Sequence, residues 1–134
     1  MTPCNHTHTT RIEVRYAETD QMGVVHHAVY PVWFELARTD YFRSLGASYL
    51  EIEKEGFVSP VLKLEVQYKR PTHYGKFVDI ETTLTRKGSL HFVFSYKVFV
   101  DGVLCTTGSS AHCFLKNGQP TRELPQQVKK IFPE

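Results

Sequence analysis

The chain has 134 residues, 41 % of them hydrophobic, with nine Phe, seven Tyr and one Trp, which is one domain's length with enough apolar mass for a single core. Sixteen basic and fourteen acidic side chains are scattered along it for a net charge of +2, so there is no basic stripe to draw it onto nucleic acid. No apolar run approaches the roughly 18 residues that span a bilayer, no secretory segment is recognisable, and three cysteines make no disulfide framework; a soluble protein of the reducing cytoplasm is expected.

Met1 to Thr10 is polar and reads as a flexible tail, which leaves 11–134 as the single folded domain. His6 and His8 flank Thr7 in a metal-like pattern, but no third ligand lies nearby, and neither a metal nor a cofactor is expected. Ile12, Val14 and Tyr16 then alternate with Arg11, Glu13 and Arg15, the period of two that predicts a strand ending near Ala17. From His27 to Leu45 the apolar residues Val29, Val32, Trp33, Leu36, Ala37 and Tyr41 follow helical spacing. Tyr30, Phe34 and Phe42 widen the stripe, predicting a helix buried on nearly every side. Pro31 is tolerated only in a first turn, which sets the helix start close to His26 and His27, and Gly46 is the stop. A short helix is expected over Ser48 to Glu55, ended by Gly56.

Beyond Pro60 the period changes to two. Leu62 to Lys69, Val78 to Leu84, Leu90 to Val98 and Val103 to Leu115 predict four antiparallel strands in a meander, with hairpin turns at Lys87-Gly88 and Asp101-Gly102. Cys105 and Cys113 on one strand would lie about 26 Å apart, out of disulfide reach. Gly108 to Ala111 is small enough to let this strand pass close to a helix, or to mark a bulge. Leu124 to Phe132 reads as a short helix with Pro125 in its first turn. The class is α+β: a five-stranded antiparallel sheet curved around one long helix.

The chemistry concentrates between the first strand and the long helix. Asp20 is followed by a Gly23 turn and then the helix N-terminus, so a carboxylate stands near backbone N–H groups able to stabilise a developing oxyanion. The same residues also suit an ordinary turn with Asp20 as its cap. Tyr16-Ala17-Glu18-Thr19-Asp20-Gln21-Met22-Gly23-Val24-Val25-His26-His27-Ala28-Val29-Tyr30, followed by Phe34-Glu35-Leu36-Ala37-Arg38, resembles the signature of the 4-hydroxybenzoyl-CoA thioesterase family. Three positions depart from it: Glu18 stands for the family's first Asp, His26 for Tyr and Val29 for Asn. The resemblance implies a hotdog fold and hydrolysis of an acyl-CoA or acyl carrier protein thioester. It makes Asp20 the nucleophile or general base, with backbone N–H groups near His27 polarising the carbonyl. Gly23, Val25 and Glu35 would contact substrate, and Lys69-Arg70 is the densest basic group for the phosphates of CoA, though a solvated turn explains it equally well. Glu35 is about 12 Å along the helix from His27, so it either reaches across a dimer interface or pairs with Arg38 or Arg43. Trp33, Phe34, Phe57 and Tyr30 are candidate acyl contacts. A homodimer is the minimum assembly and a homotetramer is favoured, on the ground that Phe92, Phe94, Phe99 and Phe114 exceed what one helix can cover. A hydratase or dehydratase of acyl thioesters and a non-catalytic acyl-CoA-binding module are the alternatives.

Overall fold

Alternating side chains on three long strands supply the concave wall of the domain. In the computed structural model, which describes residues 2–130 apart from the side chains of Thr2, Pro3 and Asn5, these strands are β4 (Phe77–Lys87), β5 (His91–Val100) and β6 (Val103–Lys116). Val78, Ile80 and Leu84 of β4, with Phe92, Phe94, Tyr96 and Val98 of β5, point inward and are buried. They close around helix α1 (Val29–Ser44), whose buried face carries Tyr30, Trp33, Phe34, Ala37, Tyr41 and Phe42. The Phe34 ring stacks on Tyr96 at 4.3 Å between centroids and lies against the backbone of Gly108, so the small residue does set the helix-to-strand approach. The opposite face of α1 is not buried: Val32 and Leu36 remain exposed, and the expectation of a helix covered on nearly all sides fails because a single sheet layer covers only one.

The strand order is β1-β4-β5-β6, where β1 is Thr2–Glu13, and β3 (Val61–Tyr68) lies on the other side of β6. Two short strands, β2 (Phe57–Val58) and β7 (Gln119–Thr121), pair with the far end of β6, which enlarges the expected five-stranded sheet to seven. The predicted four-strand meander is therefore corrected: β4, β5 and β6 are sequential neighbours, but β3 pairs β6 and not β4. The crossover 69–76 explains this. The N–H groups of Lys69 and Arg70 both bond the Cys105 carbonyl, Val25 N–H bonds Thr72 O, and Val14 N–H bonds Lys76 O, so the segment is drawn across the end of the sheet to β1.

The flexible tail through Thr10 is also corrected, since β1 pairs with β4 from Thr2 onward, with a register shift between Pro3 and Thr7. Its polar side chains are there because they face the polar flank of α1. His6 Nε2 meets Ser44 Oγ at 2.6 Å, His8 Nε2 meets Asp40 Oδ2 at 2.8 Å, and Thr10 Oγ1 donates to the same carboxylate at 2.7 Å. The strand ends at Glu13 rather than near Ala17, and a 3-10 turn follows over Tyr16–Glu18. Helix α2 (Tyr49–Lys54) is capped by the Ser48 hydroxyl, which accepts from Glu51 N–H. Helix α3 covers only Gln126–Lys129; Ile131 and Phe132 of the expected longer helix lie outside the described residues.

Candidate active site

Between β1 and α1 the chain is held by carboxylates. Glu18, 6 % exposed, accepts from Arg15 N–H at 2.7 Å, Arg15 Nη2 at 3.1 Å and Trp33 Nε1 at 2.9 Å. Burial alone would raise its pKa, but these donors outweigh it and hold the carboxyl below the usual range. Its backbone carbonyl accepts from His26 N–H at 2.9 Å, so Glu18 closes the loop between them and fastens it to Trp33 of α1. Inside that loop Asp20 N–H bonds Val24 O at 2.8 Å, and Asp20 Oδ1 accepts from Met22 N–H at 2.8 Å and Val24 N–H at 3.3 Å. Gly23, with φ of 77°, lets the turn close. One carboxylate oxygen thus caps the turn while Oδ2 takes no bond among the described residues.

The helix begins without a side-chain cap: Ala28 is the N-cap residue, and its N–H is taken by His26 Nδ1 at 3.1 Å. The N–H of His27 has no intramolecular acceptor among the described residues, while the His27 carbonyl accepts from Tyr68 O–H at 2.8 Å. Beside it is a cavity of about 260 Å³ lined by Val25, His27, Tyr30, Tyr68, Lys69 and Arg70, among others. Tyr30 O–H donates to Thr72 Oγ1 at 3.2 Å, which joins α1 to the crossover at the cavity's rear.

Of the residues singled out in the sequence, the structure gathers Val25, His27, Lys69 and Arg70 on one cavity. Asp20 and Gly23 sit on the preceding turn and do not line it. Glu35 lies elsewhere, in a groove of about 690 Å³ between the outer face of α1 and Thr10 and Arg11 of β1. No ion pair joins it to Arg38 or Arg43 among the described residues; Arg43 faces Asp40 at 3.7 Å instead. Trp33, Phe34 and Phe57 are core residues, which leaves Tyr30 as the one candidate acyl contact on this cavity. Tyr68 and Thr72 were not singled out in the sequence; the one available signal was that Tyr68 ends its strand immediately before Lys69-Arg70.

Residues 22–106 match the thioesterase superfamily. YneP of Bacillus subtilis is 39 % identical over 131 residues, covering 96 % of this chain and 92 % of that protein. The acyl-CoA thioester hydrolase YbgC of Escherichia coli O157:H7 is 31 % identical over 87 residues, 65 % of each chain. Among solved structures, a DHNA-CoA thioesterase from Staphylococcus aureus superposes with a TM-score of 0.80 at 43 % identity, over 87 % of this chain and 80 % of that one. The chain belongs to the thioesterase superfamily, and its curled antiparallel sheet around α1 is the hotdog fold. It is an enzyme of the acyl-CoA thioesterase class, a thioester hydrolase.

Proposed function

We propose that the chain hydrolyses acyl-CoA at the N-terminal end of α1, with the thioester carbonyl oxygen accepting from His27 N–H and the Asp20 carboxylate acting as base or nucleophile. The observation that carries this reading is the unbonded His27 N–H at the start of a sixteen-residue helix, next to a cavity edged by two cations. That N–H and the helix dipole stabilise negative charge on the oxygen as the carbonyl carbon becomes tetrahedral. In the general-base route Asp20 takes a proton from water, whose oxygen bonds to the carbonyl carbon. The C–S bond then breaks, sulfur leaves with the electron pair and is protonated, and the free acid remains. In the nucleophilic route an Asp20 oxygen attacks the carbonyl carbon, the C–S bond breaks with the electron pair leaving on sulfur, which is protonated, and water then hydrolyses the resulting anhydride to the free acid and the Asp20 carboxylate. Lys69 and Arg70 hold the phosphates of CoA. Val25 and Gly23 shape the approach to the carbonyl, and Glu35 meets substrate only from a neighbouring subunit of a homodimer, or of a homotetramer built from two.

The reading extends to acyl carrier protein thioesters, which share the reacting group, and to a cytoplasmic setting, supported by the free thiols of Cys4, Cys105 and Cys113. A thiol-release assay across aliphatic and aromatic acyl-CoA and acyl carrier protein thioesters tests it, with DHNA-CoA in the panel because the S. aureus neighbour is a DHNA-CoA thioesterase. Release with at least one thioester, abolished when Asp20 is changed, is expected. Hydration of an enoyl thioester without thiol release would favour the hydratase alternative, and binding without reaction would favour the binding module.

A further inference from the structure

The peptide units 25–26, 26–27 and 27–28 lead the chain into α1, and each is held differently. The first is held through His26 N–H on the Glu18 carbonyl at 2.9 Å. The second carries the unbonded His27 N–H, and its own carbonyl, that of His26, accepts from Val29 N–H at 2.9 Å. The third is gripped at both ends: Ala28 N–H donates to His26 Nδ1 at 3.1 Å, and Tyr68 O–H donates to the His27 carbonyl at 2.8 Å. Among the described residues the Tyr68 bond is the one that ties this turn to the sheet, since the others come from the β1–α1 connection and from α1 itself. A peptide unit is planar and turns only about the dihedrals at its two ends. With both neighbours pinned, the 26–27 unit has little room to swing, and the His27 N–H keeps one direction.

Tyr68 is itself firmly placed. It is the last residue of β3, opposite Thr106 of β6, and the next two N–H groups, of Lys69 and Arg70, both donate to the Cys105 carbonyl. Its ring meets Tyr30 edge-on at 5.3 Å between centroids, and Tyr30 O–H is in turn fixed on Thr72 Oγ1. Tyr68 is 51 % exposed, so water could satisfy its hydroxyl, and the bond to His27 is not there to rescue a buried polar group. We propose that Tyr68 is a positioning residue for thioester hydrolysis: its hydroxyl, anchored on β3, holds the 27–28 peptide so that His27 N–H points at the developing oxyanion. This role rests on the reading that His27 N–H polarises the thioester carbonyl. A donor whose direction is set before the reaction stabilises charge without reorganising, and a small misplacement is costly in rate. In this role the hydroxyl meets the peptide and not the substrate, so its loss falls on kcat rather than on KM.

The test uses the full chain and Tyr68→Phe, which keeps the ring, its contact with Tyr30 and the cavity wall and removes only the hydroxyl. In thiol-release kinetics with an acyl-CoA that the wild type hydrolyses, kcat is expected to fall about tenfold while KM changes by less than about twofold. Replacing Tyr68 by para-aminophenylalanine, which restores a donor at the same ring position, is expected to recover most of the lost kcat. A second arm needs no substrate: in proton–nitrogen NMR spectra of the free chain, the His27 amide resonance is expected to shift and broaden in Tyr68→Phe. Unchanged kcat in Tyr68→Phe, a rise in KM alone, or an unmoved His27 amide would overturn the role of Tyr68 and leave the hydrolysis reading standing. A wild type that releases no thiol from any thioester would overturn both.

Discussion

Asp20 has two jobs in its turn, and they separate by atom. Oδ1 accepts from Met22 and Val24 N–H and holds the turn, while the charge is what the proposed chemistry uses. Asparagine keeps an oxygen acceptor in the same place and loses the charge, so Asp20→Asn is expected to fold normally by circular dichroism and to lower turnover by about a hundredfold or more. Full activity in that variant would remove Asp20 from the mechanism. Glu35 provides the contrast. It lies in the groove beside Arg11, and within one subunit nothing brings it to His27. Glu35→Gln is accordingly expected to cost much less turnover than Asp20→Asn in the same thiol-release assay, and equal losses would put Glu35 at the reacting atoms.

At the scale of elements, α1 and β6 approach closely at Gly108. A Cβ on Gly108 would meet the Phe34 ring, and the Glu65 carbonyl oxygen at 3.0 Å, so neither flank can give way without moving a buried aromatic or the β3 backbone. Gly108→Ala is expected to destabilise the fold by roughly 1–3 kcal/mol through overpacking; an unchanged urea midpoint would show that α1 can shift away from the sheet. This contact was only half legible in the sequence, where the small residues Gly108 to Ala111 fit a close helix approach or a bulge equally well. The helix and the three long strands were legible, since their apolar periods differ and Pro31, Gly46 and the two hairpin glycines punctuate them. What stayed hidden depends on partners remote in the chain. The residues of β1 look like a solvated tail until His8 and Thr10 are seen against Asp40. The place of β3 beside β6 is decided by the crossover's bonds to Cys105 and to the Asp20 loop, which no local pattern encodes. The same limit applies to the candidate site: the Asp20-Gly23 turn announces itself, whereas Tyr68 and Thr72 join it only through the fold.

For the whole molecule, acid and assembly are the two tests. Burial, with the Arg38 charge adding to it, pushes His112 from its ordinary value near 6.5 down to about 4, so the folded chain keeps this ring neutral where the unfolded chain would protonate it. The unfolded state therefore binds more protons between these limits. His112 should cost stability progressively as pH falls from about 6.5 toward 4, by up to about 3 kcal/mol, and nothing above pH 7. Urea unfolding at pH 7 and pH 4.5 measures this, and His112→Asn should flatten the difference; an identical slope in that variant would assign the acid sensitivity elsewhere. Assembly follows from where apolar surface remains. Phe92, Phe94 and Phe114 are no more than 3 % exposed and Phe99 is partly buried, so these four aromatics offer a partner less apolar surface than the sequence suggests. Apolar surface remains on β3, where Val61, Leu62, Leu64 and Tyr68 are 49, 52, 43 and 51 % exposed; among the described residues one edge of this strand pairs with β6 and the other pairs with no strand. An open apolar edge that ends at Tyr68, beside His27, is suited to antiparallel pairing with its own copy, which would bring each candidate site next to the other subunit. Light scattering at micromolar concentration is expected to give a dimer or a multiple of it, and Leu64→Asp is expected to yield a monomer with thiol release reduced at least tenfold. A wild-type monomer that hydrolyses acyl-CoA at full rate would show that one chain builds the site alone.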